Sequence, residues 1–233
     1  QDKKGSYLPF GYNKDKTIFT KLTLTAIPSL KISLSNRGSE GKSQDYNHAY
    51  KYIPEQYLRR RTDSWQTTFA LTHTIKNNFF YDLKLSYFNQ GFYSGIDKDT
   101  SEYISVTERV YLPIGNNYEF FAKADPLELI DSRTVTLDGK LDAVWQFNNQ
   151  NEVKFGFSYK KHHLDYFNVY DTKRDNPYIN DYETEPYEFA GYIQDKIELP
   201  YLVINLGLRY DYMNAQQPVG QRPPAVEPLH ELP

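Results

Sequence analysis

The sequence predicts an all-β protein, an antiparallel up-and-down transmembrane β-barrel segment of about eight strands. Three observations support this fold class: eight stretches in which apolar and polar residues alternate, short turns that alternate with long polar connections, and aromatic residues at the ends of the stretches. Aromatic residues make up 16% of the 233 residues, although the mean hydropathy is −0.73. Disordered chains are equally polar but poor in aromatic residues, so the composition predicts a folded protein.

The overall composition excludes several classes of protein. The formal net charge is −3, whereas a nucleic-acid-binding domain would carry a basic excess. The chain contains no cysteine, which excludes disulfide scaffolds, cysteine-ligated zinc and thiol catalysis. No apolar run approaches the roughly 18–20 residues of a transmembrane helix, but a barrel strand needs only about 9–11 alternating residues. The first five residues lack the apolar core of a signal peptide, so we expect a chain that is cytosolic, already processed or part of a longer protein.

The first half of the chain contains two predicted hairpins. The first spans residues 17–35 around a turn at 27–29, and leucine and isoleucine alternate there with lysine, serine and threonine. The second spans residues 65–87 around a turn at 76–78. A strand directs alternate side chains to opposite faces, so each of these four strands has one apolar and one polar face.

The second half contains two further predicted hairpins, at residues 135–160 and 187–212. Their turns lie at the asparagine-rich segment 148–151 and near Pro200. The apolar face of the eight strands carries one charge, Asp195 in the less regular seventh strand. The polar face carries Lys21, Lys31, Asp82, Lys84, Asp138, Lys140, Asp142, Lys154, Lys160, Glu188, Lys196, Arg209 and Asp211. This segregation is typical of a sheet with lipid or a protein core on one side and water on the other.

The connections between the predicted strands differ sharply in length. Four are short turns, and three are long and polar, at residues 36–64, 89–132 and 161–186. Compact soluble domains rarely contain several structureless loops longer than about 15 residues. Bacterial outer-membrane barrels combine short periplasmic turns with long extracellular loops. The pattern therefore favours a membrane barrel over the alternative, a soluble β-sandwich with one buried face.

Aromatic residues lie at both ends of the predicted strands. Phe79 and Trp145 lie at the short-turn ends. The aromatic residues at the ends next to long loops are Trp65, Tyr87, Tyr159, Tyr210 and Tyr212. Two such girdles are typical of the two lipid–water interfaces of a barrel. The predicted lipid-interface aromatics are Trp65, Tyr87, Trp145, Tyr159, Tyr210 and Tyr212.

The ends of the chain predict an arc of a larger wall. Complete bacterial barrels have both termini on the short-turn side. Here residues 1–16 are predicted to be the remnant of an extracellular loop, residues 17–212 a partial barrel of four hairpins, and residues 213–233 a proline-rich loop or tail. Both ends then lie on the long-loop side, so we expect that the first and eighth strands do not pair with each other.

Two consecutive strands carry a family resemblance. The first strand, residues 191–198, contains the run Tyr192–Glu198, and the second, residues 203–212, contains the pattern Asn-x-Gly-Leu-Arg-Tyr-Asp. Both resemble strands of TonB-dependent outer-membrane receptors. The segment 153–160 also resembles a strand of that family. The resemblance implies a 22-strand barrel in the outer membrane of a Gram-negative-type bacterium. It also implies an N-terminal plug and import of scarce nutrients with energy from an inner-membrane complex. The chain contains no TonB box, plug-like segment or C-terminal aromatic strand, so no coupling residue is assigned.

No catalytic, cofactor or metal site is predicted, because Walker A, dinucleotide-binding, zinc-protease and nucleophile-elbow patterns are absent. Residues 97–108 fit several positions of a calcium loop, but Glu102 stands where that loop needs glycine. A solvated acidic loop is the favoured interpretation. His162 and His163 are adjacent on a strand and point to opposite faces, which makes them a poor chelating pair.

Several loop residues are candidates for ligand contact. The run Arg59–Arg61 could bind lipopolysaccharide phosphate or an anionic ligand, and a solvated charge run is the simpler interpretation. Tyrosines in the long loops complete the predicted ligand-contacting set, which is Arg59, Arg60, Arg61, Tyr93, Tyr103, Tyr182 and Tyr187.

Three functions remain open on the sequence alone. The preferred one is the barrel wall of a receptor that imports a siderophore, vitamin, saccharide or peptide. Its partners would be outer-membrane lipid, a small nutrient ligand and the TonB energy-coupling complex, reached through parts outside this chain. No nucleic-acid partner and no cofactor are expected. The alternatives are a soluble or surface all-β carbohydrate-binding or adhesion module and a small outer-membrane barrel enzyme.

Overall fold

The structure, a computed structural model, describes residues 11–96, 103–104, 108–114, 118–126, 128–171 and 177–216. Two short 3-10 helices occupy His48–Tyr50 and Pro54–Gln56. The strands are β1 (Tyr12–Ile27), β2 (Leu30–Gln44), β3 (Arg59–Lys76), β4 (Phe79–Gly95), β5 (Val110–Ile114), β6 (Tyr118–Lys123), β7 (Glu128–Gln146), β8 (Asn151–Tyr170), β9 (Tyr178–Thr184), β10 (Tyr187–Leu199) and β11 (Leu202–Asn214). Within these residues, the structure contains no helix whose length and apolar character would let it cross a membrane.

One antiparallel sheet forms the body of the molecule. Its strand order is β1-β2-β3-β4-β7-β8-β10-β11, and β9 pairs with the far end of β8. The eight-strand path consists of four hairpins, which confirms the predicted fold class. In the part of the chain that the structure describes, β1 pairs only with β2 and β11 only with β10, so the two strands form opposite edges of the sheet.

The register of the ladder separates an apolar face from a polar face. Directly opposite residues share a face, so a row of partners can be followed across the sheet. The apolar face carries the row Leu22, Leu34, Phe69, Leu85, Gly139, Tyr159, Phe189 and Tyr212. The polar face carries the row Thr23, Ser33, Ala70, Lys84, Lys140, Ser158, Ala190 and Asp211. The alternation in the sequence therefore predicts the faces of all eight strands correctly.

Asp195 is the exception on the apolar face, as its position in the sequence predicts. It lies opposite Val153 on β8 and Leu206 on β11. Its Oδ1 atom is buried and has no hydrogen-bond partner among the described residues.

The strands are staggered by about one residue per strand. The row that starts at Leu30, just after the first turn, crosses six strand boundaries and reaches Leu208 on β11. Leu208 lies six residues beyond Leu202, where β11 begins. With about 3.3 Å per residue and about 4.8 Å between strands, this stagger corresponds to a strand tilt of about 35°. Membrane barrels have tilts of about 35–45°.

The upper aromatic residues follow the same stagger. Relative to the row through Phe69, Trp65 lies four residues higher and Tyr87 two residues higher, whereas Tyr159 and Tyr212 lie in that row. A tilted sheet brings these four residues to nearly one level. We call Trp65, Tyr87, Tyr159, Tyr210 and Tyr212 the upper girdle. The span from the turn to the girdle is nine residues on both β4 and β8 and eleven on β11, which matches the thickness of a membrane.

The strands extend well beyond the girdle, which differs from the predicted loop boundaries. β8 has 20 residues and β7 has 19, and β9 and the β5–β6 hairpin lie within segments predicted to be loops. β1 also begins at Tyr12, inside the segment predicted to be a loop remnant. Above the girdle both faces of the sheet meet water, so the apolar–polar alternation ends while the backbone pairing continues. The pattern therefore underestimates the length of the strands.

The stagger predicts equal membrane depths for residues in different rows. Nitroxide labels are attached to single cysteines at positions 65, 87, 159 and 212 of the full-length protein in lipid bilayers. We expect their depths, measured by paramagnetic relaxation, to agree within about 6 Å, because the tilt offsets the stagger of about 13 Å along the strands. Depths that instead follow the rows would contradict the tilt.

A glycine contact on the polar face gives a second prediction. A Cβ atom at Gly156 would meet the Tyr192 ring and would lie 2.7 Å from Asp142 Oδ1 and 2.9 Å from the Leu141 carbonyl oxygen. We expect Gly156→Ala to lower the free energy of unfolding by about 1–3 kcal/mol, the usual cost of overpacking. The matched control is Gly191→Ala on the neighbouring strand, where the nearest atom is 3.9 Å away. Urea unfolding in lipid vesicles measures both, and equal losses for the two variants would contradict this account.

Candidate functional site

The polar face carries several ion pairs. Lys160 Nζ lies 2.8 Å from Glu188 Oε1, and Arg209 Nη2 lies 2.7 Å from Asp211 Oδ1. Such exposed pairs add little stability, typically about 0–1 kcal/mol each. A groove of about 410 Å³ runs between β7, β8, β10 and β11. Its charged lining residues are Asp138, Lys140, Lys160, Glu188, Arg209 and Asp211.

Like charges lie directly opposite each other on this face, but they compensate in pairs. Lys84 faces Lys140, and in the next row of the same face Asp82 faces Asp142. Lys140 Nζ lies 2.7 Å from Asp142 Oδ2, and Tyr192 donates a hydrogen bond of 2.8 Å to Asp142. The two positive and two negative side chains therefore cancel within one patch.

The segments between β2 and β3 and between β4 and β7 pack into one small module. Its apolar core consists of Tyr50, Ile53 and Ala124, with Ala49, Tyr57 and Phe121 packed around it. Gln44, at the end of β2, donates hydrogen bonds to the Pro54 carbonyl at 2.7 Å and the Tyr57 carbonyl at 3.1 Å. These contacts hold the first loop against the strand from which it emerges.

Asp125 is the polar centre of this module. It is 2% exposed, and its Oδ2 atom accepts a hydrogen bond of 2.8 Å from the Ile104 amide. Its backbone carbonyl accepts hydrogen bonds from Arg109 Nη2 at 2.8 Å and from the Tyr50 hydroxyl at 3.3 Å. Burial raises the pKa of Tyr50 and that of Tyr103 above the ordinary tyrosine value. The module therefore has a buried interior of its own.

An aromatic surface covers one side of the module. The ring of Phe120 lies 4.8 Å from that of His48 and 5.2 Å from that of Tyr52. Tyr46 is joined to His48 by a hydrogen bond of 2.7 Å, and Lys51 Nζ lies 5.6 Å from the Tyr52 ring centroid. Tyr46 and Tyr52 are about half exposed. Rings with polar edges can stack on planar groups or sugars and form hydrogen bonds with them.

The sequence analysis missed this aromatic surface. The local signal is the density of tyrosine and histidine in residues 46–52. Phe120 is about 70 residues away along the chain, and only the folded loops bring it to this cluster.

The three predicted arginines lie in strand β3 instead of in a loop, and they do not share a face. Arg59 and Arg61 lie on the continuation of the apolar face, whereas Arg60 lies on the continuation of the polar face. Arg60 Nη1 forms an ion pair with Asp45 Oδ2, and the Arg61 guanidinium lies 6.0 Å from the Tyr93 ring centroid.

The four predicted ligand tyrosines are also separated by the structure. Tyr182 lies opposite Tyr166 on the continuation of the polar face, with ring centroids 5.2 Å apart. Tyr93 lies on the continuation of the apolar face and donates a hydrogen bond of 2.9 Å to the Ile96 carbonyl.

The other two tyrosines have packing roles in this conformation. Tyr103 differs most from the prediction of a ligand contact, because it is 3% exposed and accepts a hydrogen bond from the Ile96 amide. Tyr187 packs with Tyr159 and Tyr212, at centroid distances of 6.5 and 6.2 Å, and so extends the upper girdle.

The six residues predicted at the lipid interface are all exposed and all lie on the apolar face. These residues are Trp65, Tyr87, Trp145, Tyr159, Tyr210 and Tyr212. Trp145 lies opposite Phe79 at the short-turn end, which places the two on the lower girdle.

The two adjacent histidines point to opposite faces. His162 Nδ1 lies 2.8 Å from Thr136 Oγ1 on the polar face, whereas His163 lies opposite Val135 on the apolar face and 3.4 Å from Glu185. Lys161 also contacts Glu185, and its ammonium holds the pKa of that carboxyl below its usual range.

Metal binding has no support in the part of the chain that the structure covers. No group of three His, Cys, Asp or Glu side chains is arranged there to hold an ion. Most of the possible calcium loop, at residues 97–102 and 105–107, lies outside the described residues.

The buried interior of the module predicts a response to alkaline pH. The raised pKa values of Tyr50 and Tyr103 mean that the folded module favours the neutral phenols. Their contribution to stability is complete below about pH 10, the unfolded pKa, and is lost as the pH rises through the folded values. The measurement is the tyrosinate absorbance at 295 nm of the wild type minus that of Tyr103→Phe, followed as the pH is raised. We expect this difference to appear above pH 10, and we expect the same for Tyr50→Phe. A difference that titrates at or below pH 10 would contradict the buried environment.

The comparisons with known proteins agree with this geometry. A family model described as TonB dependent receptor-like, beta-barrel, matches residues 5–223. Among solved structures, the alcaligin outer membrane receptor FauA from Bordetella pertussis has 12% sequence identity and a TM-score of 0.58, and the match covers 88% of this chain and 32% of that one. For FpvA from P. aeruginosa, solved with bound pyoverdines, the identity is 10% and the TM-score 0.61, with 90% and 32% covered. For the outer membrane transporter YddB from Escherichia coli, the values are 14% and 0.60, with 89% and 28% covered.

These identities are low, so the likeness to solved structures shows the fold alone. No match was found among curated protein sequences. The chain spans about a third of the length of the solved receptors. The alternative of a soluble carbohydrate-binding or adhesion module is not retained. The family model covers nearly the whole chain, which therefore belongs to the TonB-dependent receptor-like β-barrel family, whose members are outer-membrane receptors and transporters and not enzymes.

Proposed function

We propose that this chain forms part of the wall of a receptor that imports a scarce nutrient across the outer membrane. The observation that carries the proposal is the two-faced sheet, which is apolar where it meets lipid and ion-paired on the opposite face. The nutrient belongs to the siderophore, vitamin, saccharide or peptide class. Two of the similar structures are an alcaligin receptor and a receptor in complex with pyoverdines, which supports the siderophore class.

The two faces have different tasks in this mechanism. The apolar face holds the barrel in lipid, and the polar face lines the lumen and contacts a plug supplied by another part of the receptor. A wall of compensated ion pairs stays hydrated whether the plug is seated or displaced, so plug movement does not expose bare charges. The TonB complex supplies the energy through parts outside this chain.

The structured extracellular part of the wall captures the ligand. The aromatic surface with Tyr46, His48 and Tyr52 offers stacking and hydrogen bonds. Arg60 and Tyr182 lie on the continuation of the lumen-lining face, where an incoming ligand passes. The folded module holds the side chains of the aromatic surface in place, so little conformational entropy is lost there when a ligand binds.

Cellular uptake tests the proposal. Deletion of the gene should abolish energy-dependent uptake of one member of a panel that consists of a ⁵⁵Fe-siderophore, cobalamin, a labelled oligosaccharide and a labelled oligopeptide. A protonophore should abolish the same uptake in wild-type cells. Unchanged uptake of the whole panel after deletion would contradict the proposed function.

Neighbouring arginines provide a matched pair for the lumen assignment. We expect Arg60→Gln to reduce ligand binding about tenfold or more, because a hydrogen bond to a charged group contributes about 1.5–3 kcal/mol. Arg59→Gln removes the same charge one residue away on the opposite face and should leave binding within twofold of the wild type. The measurement is uptake at limiting ligand in cells with equal receptor levels. Equal losses for both variants would contradict the assignment of Arg60 to the lumen.

A further inference from the structure

One carboxyl group lies inside the membrane span on the lipid-facing side of the sheet. Asp195 shares the apolar face of β10 with Ile193 and Ile197. Its row partners are Val153 on β8 and Leu206 on β11, and its Oδ1 atom is buried without a hydrogen-bond partner among the described residues. A polar group in such surroundings costs free energy unless it finds a partner, so a partner is expected at this position.

Asp195 lies deep in the hydrocarbon layer. It precedes Leu199, the end of β10, by four residues and follows Phe189, the row partner of Tyr212 in the upper girdle, by six. At the observed tilt these spacings correspond to about 11 Å from the turn and about 16 Å from the girdle along the membrane normal. An aspartate side chain is too short to cross either distance. The polar headgroups of lipids therefore cannot supply its partner.

The rest of the barrel wall does not reach this carboxyl group. β10 is paired on both sides, with β8 and with β11, so no further strand can lie beside it. A strand beyond β11 would be about 10 Å from β10, with the Leu206 side chain between them. The lumen lies on the opposite face of the sheet. A polar partner at this depth must therefore come from another protein that spans the membrane.

The surface around Asp195 is suited to contact with a second protein wall. Asp195 is partly exposed, so its side chain can be approached from the lipid, and Ile193 and Leu206 beside it are each more than half exposed. A groove of about 410 Å³ opens just above them on the same face, where Gly191 leaves a gap in its row. Small residues in such a surface let two membrane proteins approach closely.

Two copies of one receptor bring matching groups to the same depth. All copies in a membrane have the same orientation, so a twofold axis along the membrane normal relates two neighbours, and a residue near the axis meets its own counterpart. A carboxyl group that carries its proton donates through its O–H and accepts at its carbonyl oxygen, so two of them can satisfy each other. An unrelated protein would need a lipid-facing polar group of its own at this depth, at a similar cost.

We propose that two copies of the receptor associate in the outer membrane through the surface around Asp195, with the two Asp195 carboxyl groups hydrogen-bonded to each other near the twofold axis. The strands of the two walls cross at about 70°, twice the tilt, so the contact is limited to a few strands around β10. Ile193 of each copy packs against Leu206 and Leu208 of the other. This association does not depend on which nutrient is imported.

Self-association of the purified full-length protein in lipid vesicles tests the proposal. It is measured by energy transfer between copies that carry donor and acceptor dyes, over a range of protein-to-lipid ratios. We expect Asp195→Leu to weaken association about tenfold or more, because two hydrogen bonds within the membrane are lost. Asp195→Asn should stay within about threefold of the wild type, since an amide also donates and accepts hydrogen bonds.

Urea unfolding at high lipid dilution separates association from folding. Asp195→Leu removes a polar group from hydrocarbon, so we expect the monomeric variant to be at least as stable as the monomeric wild type. A less stable monomer would show that the carboxyl group supports the barrel itself, and this result would overturn the proposal.

Cysteine crosslinking in cells identifies the partner. Ile193→Cys, in a full-length protein without other cysteines, should give a dimer with a lipid-soluble bis-maleimide. The matched control is Leu85→Cys on β4, which should give none. Leu85 lies on the same face and, like Ile193, six residues from the turn end of its strand, so the two positions have about the same depth.

Four further outcomes would contradict the dimer. The first is a wild type that stays monomeric at every protein-to-lipid ratio, and the second is an Asp195→Leu variant that associates as tightly as the wild type. The third is equal crosslinking at positions 193 and 85, which would indicate random collisions. The fourth is crosslinking of position 193 to a different outer-membrane protein, which would make that protein the occupant of this surface.

Discussion

The backbone hydrogen-bond ladder is the constraint on which the rest of this structure depends. In hydrocarbon every amide and carbonyl group needs a partner inside the protein, because water is absent. The ladder meets this need from β1 to β11 without interruption between neighbouring strands. It also fixes which side chains share a face, so one register decides both what meets lipid and what lines the lumen. Among the described residues, Asp195 is the one charged side chain on the lipid-facing side of the membrane span that departs from this division.

The same ladder sets the position of the extracellular site. Because β2, β3, β4, β7 and β8 continue past the upper girdle, the loops start from rigid strands some distance outside the membrane. Gln44 at the end of β2 holds the loop helices, and Asp125 just after β6 holds Tyr50 and Arg109. A binding surface supported in this way needs less reorganisation on ligand binding than a mobile loop would need.

The sequence predicts the membrane-spanning part of the wall well and the extracellular part poorly, for one physical reason. Between the girdles the two faces meet different solvents, so the alternation of residues records the strand directly, as at Leu206 and Leu208. Above the girdle both faces meet water and the alternation is lost. Carrying the period of two upward from Trp65 would have separated Arg60 from Arg61. The burial of Tyr103 and Asp125 depends on contacts between distant loops, for which no local pattern exists.

The two edges of the sheet extend this reasoning beyond the eight strands. In the described residues, β1 and β11 each have one side without a strand partner. An open edge in hydrocarbon would leave alternate backbone groups unsatisfied, at a cost of several kcal/mol each. Each edge therefore needs another strand beside it in the membrane. A chain that spans about a third of the solved receptors, with strands tilted by about 35°, fits an arc of a wide barrel whose remaining wall supplies those neighbours.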